Sequence, residues 1–319
     1  MDPPRPDLVE RFRRDLIALA GEKPGRIGVA LSGGPDSLAL LLLASAAFPG
    51  GVSAATVDHG LRPESASEAA LAAQACAGLN VPHRILGVRV ARRASVQAAA
   101  REARYGALKE WASEEAVTAL LTAHHLQDQA ETLLMRLQRG SGVGGLAGVR
   151  ARSRLGQGLL LCRPLLAWHR RELGEIVGAA GLTAADDPSN GDDAFDRVRL
   201  RRALSQASWL DPLALARSAA ALAEAVDALE FAAGEFAATH IGRISEATTL
   251  RPGNLPDELL RRLLLKAVRA VAGDADPRGE QLTQLILTLR AGGAATLAGV
   301  KCTGGDVWRF EPAPPRRSG

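Results

Sequence analysis

Ser32-Gly33-Gly34-Pro35-Asp36-Ser37 separates two apolar stretches of the chain, 27–31 and 38–43. The first, Ile-Gly-Val-Ala-Leu, is typical of a buried strand, and the second, Leu-Ala-Leu-Leu-Leu-Leu, of a buried helix. Glycines let the backbone approach a ligand closely. The helix N-terminus presents unpaired N–H groups and a positive dipole end at the same place. The stretch therefore predicts a strand, a turn and a helix arranged to bind an anion, most often phosphate.

The turn is not a Walker A loop, because no Gly-Lys-Ser or Gly-Lys-Thr follows it. A Gly-Gly pair alone leaves open the alternative of a tight strand-to-helix turn that binds nothing. The rest of the chain must therefore supply further signals at the same place before the loop is assigned a ligand.

The first half of the chain alternates strand-like and helix-like segments. Predicted strands are 26–31, 52–57, 83–88 and 117–122, and predicted helices are 38–47, 64–79 and 95–114. This alternation is typical of an α/β fold in which helices flank a parallel sheet. Ligands of such sheets bind beyond the carboxyl ends of the strands. The loop 32–37, the pair Asp58-His59 and the pair His124-His125 are all expected at that edge.

The second half of the chain has a different character. A glycine-rich connector at 140–145 and a predicted hairpin around Gly156–Gly158 are followed by a helix at 173–180, an acidic turn at 186–193 and a basic run at 197–202. Beyond these, Ala/Leu-rich amphipathic segments predict helices at 212–236, 256–271 and 278–289, closed by short strands at 296–302 and 306–310. We expect a catalytic α/β domain at 1–205 and a smaller, mainly helical domain at 206–319.

Composition sets broad limits on the class of protein. With 319 residues and 47% hydrophobic content, the chain is long enough for more than one domain. No apolar run approaches the roughly 20 residues needed to span a bilayer, so no membrane association is expected. The N-terminus has no apolar signal core, and three scattered cysteines argue against a disulfide framework. We therefore expect a cytoplasmic protein.

The charge balance favours a polyanionic partner only weakly. The net charge is +4, and arginine far outnumbers lysine. Guanidinium groups match phosphate geometry and stack on bases, although a biased genome composition would give the same excess. We expect some of the arginines after the catalytic segment to form a track for RNA, with Trp168 and Tyr105 as stacking candidates. The track candidates are Arg136, Arg139, Arg150, Arg152, Arg154, Arg163, Arg170, Arg171, Arg197, Arg199, Arg201 and Arg202.

Residues 124–131 combine imidazoles and carboxylates. Each helical residue turns by about 100°, which places His124, Asp128 and Glu131 on one stripe within about 40° of one another. Two close carboxylates bind a cation, which can be a metal ion or an ammonium group. The alternative is a solvated helix face preceded by an N-cap histidine.

Two further segments carry candidate ligand-binding groups. Asp58, after the second strand, can hold a nucleotide or a magnesium ion that bridges phosphates, or can simply cap a turn. Arg101 and Arg104 are at i, i+3 spacing on one helix, where they can contact phosphates or a developing negative charge. A solvated arginine pair beside Glu102 fits the same spacing.

Taken together, these segments resemble the N-type ATP pyrophosphatases, or PP-loop proteins, and among them the tRNA(Ile)-lysidine synthetase family. The resemblance covers most of residues 24–205. It is carried by the loop 32–37 and by the motifs at 57–62 (Val-Asp-His-Gly-Leu-Arg), 100–105 (Ala-Arg-Glu-Ala-Arg-Tyr), 123–132, 139–148, 163–166 and 187–190.

The resemblance implies a Rossmann-like fold and a two-step ligation. Such an enzyme uses ATP to adenylate the wobble cytidine of a CAU-anticodon tRNA(Ile) and releases pyrophosphate. The ε-amine of L-lysine then displaces AMP and gives lysidine. ATP and Mg²⁺ are the implied cofactors, tRNA(Ile) and L-lysine are the implied partners, and a homodimer is a further expectation from the family.

The resemblance also implies roles for individual residues. The nucleotide-binding residues would be Ser32, Gly33, Gly34, Pro35, Asp36 and Ser37. The catalytic residues would be Asp36, Asp58, Arg104 and His124. Lysine would bind to Asp128 and Glu131, and Mg²⁺ to Asp36 and Asp58.

Two positions depart from the family pattern. Position 127 is Gln where the family usually has a second Asp, and position 198 is Val where it usually has Asn. We expect Gln127 at the edge of the 124–131 stripe, where the missing charge would weaken magnesium or lysine binding. We expect Val198 to loosen a turn that joins the domains.

The sequence leaves rival functions open. One rival is another PP-loop enzyme that adenylates tRNA, such as a tRNA thiolase. A thiolase would normally show paired cysteines, and the chain has no Cys-x-x-Cys. An amidotransferase-coupled enzyme would need an N-terminal nucleophile or a glutaminase domain, and Met1-Asp2 offers neither. A tRNA- or nucleotide-binding homologue with weakened catalysis is the non-enzymatic alternative, supported mainly by Gln127.

Overall fold

The computed structural model of the protein describes residues 1–59, 65–88, 96–156, 158–184 and 196–314. The chain forms two compact units, Met1–Ser141 with Gly145–Ala220, and Gly142–Gly144 with Ala221–Gly319. Residues 60–62 of the predicted motif 57–62, the whole predicted acidic turn 186–193 and the whole motif 187–190 lie outside the described residues.

The first unit is an α/β fold. In chain order its elements are α1 (Pro6–Ala20), β1 (Arg26–Ala30), α2 (Pro35–Ala47), β2 (Val52–Asp58), α3 (Ser65–Gly78), β3 (His83–Gly87), α4 (Val96–Glu114), β4 (Val117–Leu121), α5 (Leu126–Gln138), α6 (Val143–Leu146), β5 (Arg152–Arg154), β6 (Leu160–Cys162), α7 (Arg170–Ala179), α8 (Asp196–Gln206) and α9 (Pro212–His240). Helices α6 and α9 each include residues of both units.

The strands form one mostly parallel sheet in the order β3-β2-β1-β4-β6-β5, with only β5 antiparallel to its neighbour. Strand β1 is central, and its Val29 pairs with Ala54 of β2 on one side and Leu121 of β4 on the other. The chain adds β2 and β3 to one side of β1 and later places β4 on the other. Because the strand order reverses between β1 and β4, a crevice is expected between the loops that follow these two strands.

Apolar side chains fill both faces of this sheet. Helices α1, α2 and α7 contribute to one core with Phe12, Leu16 and Trp168, while α4 covers the opposite face with Trp111. Strand β1 carries a glycine where that indole packs: a Cβ on Gly28 would lie 2.9 Å from two ring atoms of Trp111. The glycine is therefore needed for close packing between helix and sheet.

The second unit combines the end of α9 with two more helices and an antiparallel sheet. Its remaining elements are β7 (Ile241–Ile244), β8 (Ala247–Leu250), α10 (Asp257–Ala272), α11 (Gly279–Arg290), β9 (Ala294–Leu297), β10 (Val300–Thr303) and β11 (Trp308–Pro312). The sheet has the order β7-β8-β11-β10-β9. Leu263 and Leu264 of α10 pack with Trp308 and Phe310 in its core.

The predicted fold class is confirmed: a parallel sheet with flanking helices is followed by a further region of helix and sheet. The predicted single strand at 296–302 is wrong, because Ala298 and Gly299 both have positive φ and make a two-residue turn between β9 and β10. None of the helices in the described part of the chain combines the length and apolar character needed to cross a bilayer.

Candidate active site at the carboxyl edge of the parallel sheet

The loop after β1 is held by the hydroxyl of Ser37. The Ser32 N–H donates to Ser37 Oγ at 3.2 Å, and that hydroxyl donates to the Gly34 carbonyl at 2.9 Å. Gly33 has φ +82°, a left-handed conformation that favours glycine. The loop is thus fixed by its own side chain and backbone.

Helix α2 begins at this loop without a side-chain cap. Gly34 is the N-cap in an extended conformation, and Pro35 occupies the first turn, where its lack of an N–H costs nothing. The positive end of the helix dipole therefore remains available to an anion, while the Ser37 N–H already donates to the Gly34 carbonyl at 3.1 Å. The structure places 32–37 where a phosphate loop is expected.

His125 joins the loops that follow β1 and β4. Its Nε2 lies 3.4 Å from Asp36 Oδ2 and 3.7 Å from Asp128 Oδ2, and only 3% of its side chain is exposed. Its Nδ1 is buried and has no hydrogen-bond partner among the described residues. The sequence placed the pair His124-His125 at this edge but assigned the function to His124. The missed signal is that the second histidine directly precedes α5.

The predicted stripe is only partly correct, because α5 begins at Leu126 and His124 precedes it. The Nδ1 of His124 lies 3.1 Å from Thr122 Oγ1. Asp128 caps the helix, since its Oδ2 accepts the His125 backbone N–H at 2.9 Å. Asp128 and Glu131 do share the helix, and both are buried.

Glu131 is bound by an arginine from far along the chain. Arg201 Nε donates to Glu131 Oε1 at 2.7 Å, and the second guanidinium nitrogen lies 3.4 Å from Oε2. The hydrogen bond to Glu131 raises the pKa of Arg201, the negative charges of Glu131, Asp128 and Asp36 raise it further, and burial opposes the shift. Three carboxylates and one guanidinium thus converge beside the loop 32–37.

A second group of polar side chains follows β2. His59 has a buried Nδ1 without a partner among the described residues. Burial lowers the pKa of His59, the charge of Arg104 lowers it further, and Asp58 acts in the opposite direction. Burial also lowers the pKa of Arg104. Asp58 and Arg104 are therefore both electrostatically coupled to His59, while Arg101 of the same helix stacks on Tyr105 at 4.9 Å.

Both departures from the family pattern have structural positions that differ from those expected. Gln127 Oε1 accepts the backbone N–H of Arg170 at 3.0 Å, at the start of α7, and Nε2 lies 3.5 Å from His169 Nδ1. Its amide therefore links two helices. Val198 lies within helix α8, so the turn expected there is absent.

Several predicted RNA contacts instead have internal roles. Trp168 is fully buried and donates to Asp15 at 3.1 Å, so its assignment as a stacking candidate is wrong. Arg136 donates to the carbonyls of Gly145 and Gly148 at 2.6 and 2.8 Å, and buried Arg163 donates to the Arg150 carbonyl at 2.6 Å. These two arginines and Arg201 stabilise the fold around the site.

The donor set fits a magnesium ion held together with a nucleotide. Asp36 Oδ1 is buried without a hydrogen-bond partner among the described residues. Mg²⁺ is usually held by one or two carboxylates together with substrate phosphates. Among the described residues, no three His, Cys, Asp or Glu side chains lie together as a self-contained metal site.

Comparison with known proteins places this geometry in a family. A family model described as a PP-loop domain matches residues 8–208. The tRNA(Ile)-lysidine synthase of Novosphingobium aromaticivorans is 48% identical, over 97% of this chain and 94% of its own length. That of Zymomonas mobilis is 45% identical, over 94% and 92%.

The fold recurs in a solved structure. The U34-tRNA thiolase NcsA from Methanococcus maripaludis matches with a TM-score of 0.57 at 16% identity, over 69% of this chain and 78% of its own. The parallel sheet and the uncapped glycine loop after its central strand are thus those of a PP-loop protein. The similarity to the two lysidine synthases extends over nearly the full length of the chain. Within the PP-loop proteins, the chain therefore belongs to the tRNA(Ile)-lysidine synthase family.

Proposed function

We propose that the protein ligates L-lysine to the wobble cytidine of a CAU-anticodon tRNA(Ile) and forms lysidine. The cytidine carbonyl oxygen attacks the α-phosphorus of ATP and releases pyrophosphate, so the AMP moiety becomes attached to the ring. The lysine ε-amine then bonds to that ring carbon, and AMP leaves together with a proton from the amine. The observation that carries the proposal is the convergence of Asp36, Asp128, Glu131 and Arg201 beside the loop 32–37 in a chain of this family.

The loop 32–37 and the N-terminus of α2 bind the triphosphate. An uncapped helix N-terminus attracts phosphate oxygens without any lysine in the loop. Asp36, together with Asp58, would hold Mg²⁺, which neutralises charge on the phosphates when it is bound. The buried Asp36 Oδ1 supports this role.

The adenylation step needs positive charge and a mobile proton near the α-phosphate. Arg104 stabilises the negative charge that develops there, because its guanidinium lies near the strand end that carries Asp58 and His59. His124 was the predicted histidine, and His125 is the one in contact with Asp36. We propose that His124 and His125 both serve the adenylation step from the β4 end of the crevice.

Asp128 and Glu131 bind the lysine ammonium. Two buried carboxylates attract a cation, and Arg201 keeps the site from accumulating uncompensated negative charge before lysine arrives. The ε-amine must lose a proton before it attacks the adenylated ring, and a nearby carboxylate can accept it.

Incubation of an unmodified CAU-anticodon transcript with protein, ATP and lysine tests the proposal by nucleoside analysis. Lysidine, AMP and pyrophosphate are the expected products, and ADP with phosphate would contradict the mechanism. Asp36→Asn should slow turnover at least about a hundredfold. Asp276→Asn, at an exposed carboxylate of the second unit, is the control and should leave turnover unchanged.

Glu131→Gln tests the lysine site separately. Replacing a charged acceptor by a neutral one costs about 1.5 kcal/mol, so KM for lysine should rise roughly tenfold while KM for ATP stays constant. Glu175→Gln, at an exposed carboxylate of α7, is the control. RNA binding without lysine-dependent pyrophosphate release would instead favour the weakened binding homologue. A homodimer and a cytoplasmic location remain proposals that rest on the family.

A further inference from the structure

One of the four tryptophans differs from the rest in its exposure. Trp111, Trp168 and Trp308 are buried, whereas 81% of Trp209 is exposed to solvent. Aromatic residues make up only 3% of the chain, so a large apolar ring left in water is unusual here. An indole that is exposed yet held by its backbone is a common platform for another flat ring.

The backbone holds Trp209 in a hydrogen-bonded turn. The Leu210 N–H donates to the Ala207 carbonyl at 3.0 Å, which places Trp209 at the third position of a four-residue turn. The turn follows α8 directly, and Asp211 caps the next helix by accepting the Leu213 N–H at 2.9 Å. The indole is therefore displayed between two fixed helix ends.

The turn lies close to the candidate active site. Arg201 of α8 contacts Glu131, and α8 ends at Gln206. The rise of five helical residues and at most three extended residues keeps the Trp209 Cα within about 18 Å of the Arg201 Cα. That distance spans two or three nucleotides of an extended RNA strand.

The helix before the turn supplies positive charge. Arg199 and Arg202 are exposed at i, i+3 spacing on α8, about 100° or more around the helix from Arg201. An exposed aromatic ring together with exposed arginines on the helix that precedes it is typical of sites for single-stranded nucleic acid, because arginines contact phosphates while the ring stacks on a base.

We propose that Trp209 is a stacking platform for an unpaired base of the RNA substrate, with Arg199 and Arg202 on the adjacent phosphates. The proposal rests on the proposed function, since a tRNA substrate presents unpaired bases next to its wobble nucleotide. Trp209, Arg199 and Arg202 would hold the nucleotides next to the wobble nucleotide while the wobble base is in the crevice. A second copy of the chain is the other occupant that an exposed indole could have.

Intrinsic fluorescence tests the platform, because Trp209 is the exposed indole and the three buried ones are an internal control. A stem-loop RNA with a CAU anticodon loop should quench the emission and protect it from acrylamide. A fully paired RNA duplex should not do so. Trp209→Phe should abolish the change and keep RNA affinity within about threefold, whereas Trp209→Ala should weaken it about tenfold.

Three results would overturn the platform. The first is unchanged fluorescence at saturating stem-loop RNA. The second is a Trp209→Ala protein that binds this RNA as the parent does. The third is protection of Trp209 that grows with protein concentration without RNA, which would assign the ring to a contact between copies. Lysidine formation by the parent, measured in parallel, separates this test from that of the function. If the parent forms lysidine but RNA does not change the fluorescence of Trp209, only the stacking platform is refuted. If RNA quenches Trp209 but no lysidine forms, only the proposed reaction is refuted.

Discussion

The two adjacent histidines after β4 have different environments although their side chains are identical. His124 precedes the helix and faces Thr122, whereas His125 is buried between Asp36 and Asp128. Helical periodicity favoured His124 because it assumed that the helix includes that residue. Because α5 begins at Leu126, the side chains of His124 and His125 point in directions that differ from those expected for a helix that includes His124. Which residue of a pair faces a site thus depends on where a helix begins.

At Gln127 we expect a structural effect and no effect on lysine binding. Gln127→Met removes the bond to the Arg170 N–H and should lower the free energy of unfolding by about 1 kcal/mol. The KM for lysine should change less than twofold. Urea denaturation and lysine-dependent turnover measure the two quantities.

Gln129 on the same helix provides a comparison for Gln127→Met. Its amide donates to the Val149 carbonyl at 2.9 Å and accepts the Val149 N–H at 2.6 Å. Gln129→Met should therefore cost about 2 kcal/mol or more. A tenfold rise in the lysine KM of Gln127→Met would restore the original assignment of Gln127 to the lysine site.

We expect His59 to make the folded protein less stable in acid. Its folded pKa lies below the ordinary value because of burial and then Arg104. The unfolded chain therefore binds this proton at higher pH than the folded one, so the stabilising effect is complete above about pH 6.5 and is lost as pH falls from there towards the folded pKa. Arg104→Met should raise the pKa of His59 and reduce this loss.

NMR titration of the His59 ring measures the shift directly. Arg101→Met is the control, because Arg101 stacks on Tyr105 and does not contribute to the His59 shift. If the pKa of His59 is the same in Arg104→Met as in the parent, Arg104 does not lie close enough to act on the strand end.

The types of residue at the site could be predicted from the sequence better than the hydrogen bonds and ion pairs that these residues form. The carboxylates and the glycine loop are local motifs, so their places follow from strand and helix periodicity. The contact between Arg201 and Glu131 joins residues 70 positions apart. Nothing in local spacing indicates it, and the residue roles themselves stay predictions until they are tested.

At the scale of elements, β1 depends on a residue without a side chain. Gly28→Ala would bring a methyl group to 2.9 Å from Trp111 and from Val117 Cγ1. Overpacking of this kind should lower the free energy of unfolding by about 1–3 kcal/mol. Urea denaturation measures the change.

Gly106→Ala is the matched control on α4, the helix that carries Trp111. A Cβ there would meet nothing within 4 Å, so alanine should stabilise the helix by about 0.5–1 kcal/mol. Equal effects of the two substitutions would show that the Gly28–Trp111 contact does not limit the packing of β1.

Strands β1 to β4 could be predicted to within one residue at each end from short runs that contain apolar residues, whereas β5 and β6 could be predicted only as a hairpin without bounds for its strands. The N-terminal helix α1 was not predicted, although Phe12 and Leu16 have i, i+4 spacing and are both buried. The hairpin β7–β8 was also missed, since its strands have only four residues each. Such short segments give too little periodicity to distinguish a strand from a loop.

At the scale of the whole molecule, RNA binding should depend on salt. Each phosphate contact contributes roughly 0.7–0.9 to the slope of log affinity against log salt. Arg199→Gln together with Arg202→Gln should therefore lower that slope by about 1.5 for a CAU-anticodon transcript. Filter binding over a salt series measures it.

Arg171→Gln is the comparison for this series. Arg171 is also exposed, on α7 instead of α8, and its guanidinium donates to Glu175 at 2.8 Å. Its replacement should leave the slope unchanged. If Arg171→Gln lowers the salt slope as much as each of the two α8 substitutions does, RNA binding responds to net charge and not to the α8 surface.

The order of strands in the sheet also has a consequence for how the protein is made. Strand β1 leaves the ribosome first, yet its partner β4 begins only at Val117. At about 5–20 residues per second, synthesis from Ala30 to Val117 takes roughly 4–17 s. During that time one edge of an apolar strand lacks its neighbour, and such edges pair readily with other chains. The nascent chain is therefore most exposed to aggregation before β4 emerges, and chaperone binding to the ribosome-bound chain should be strongest in that interval.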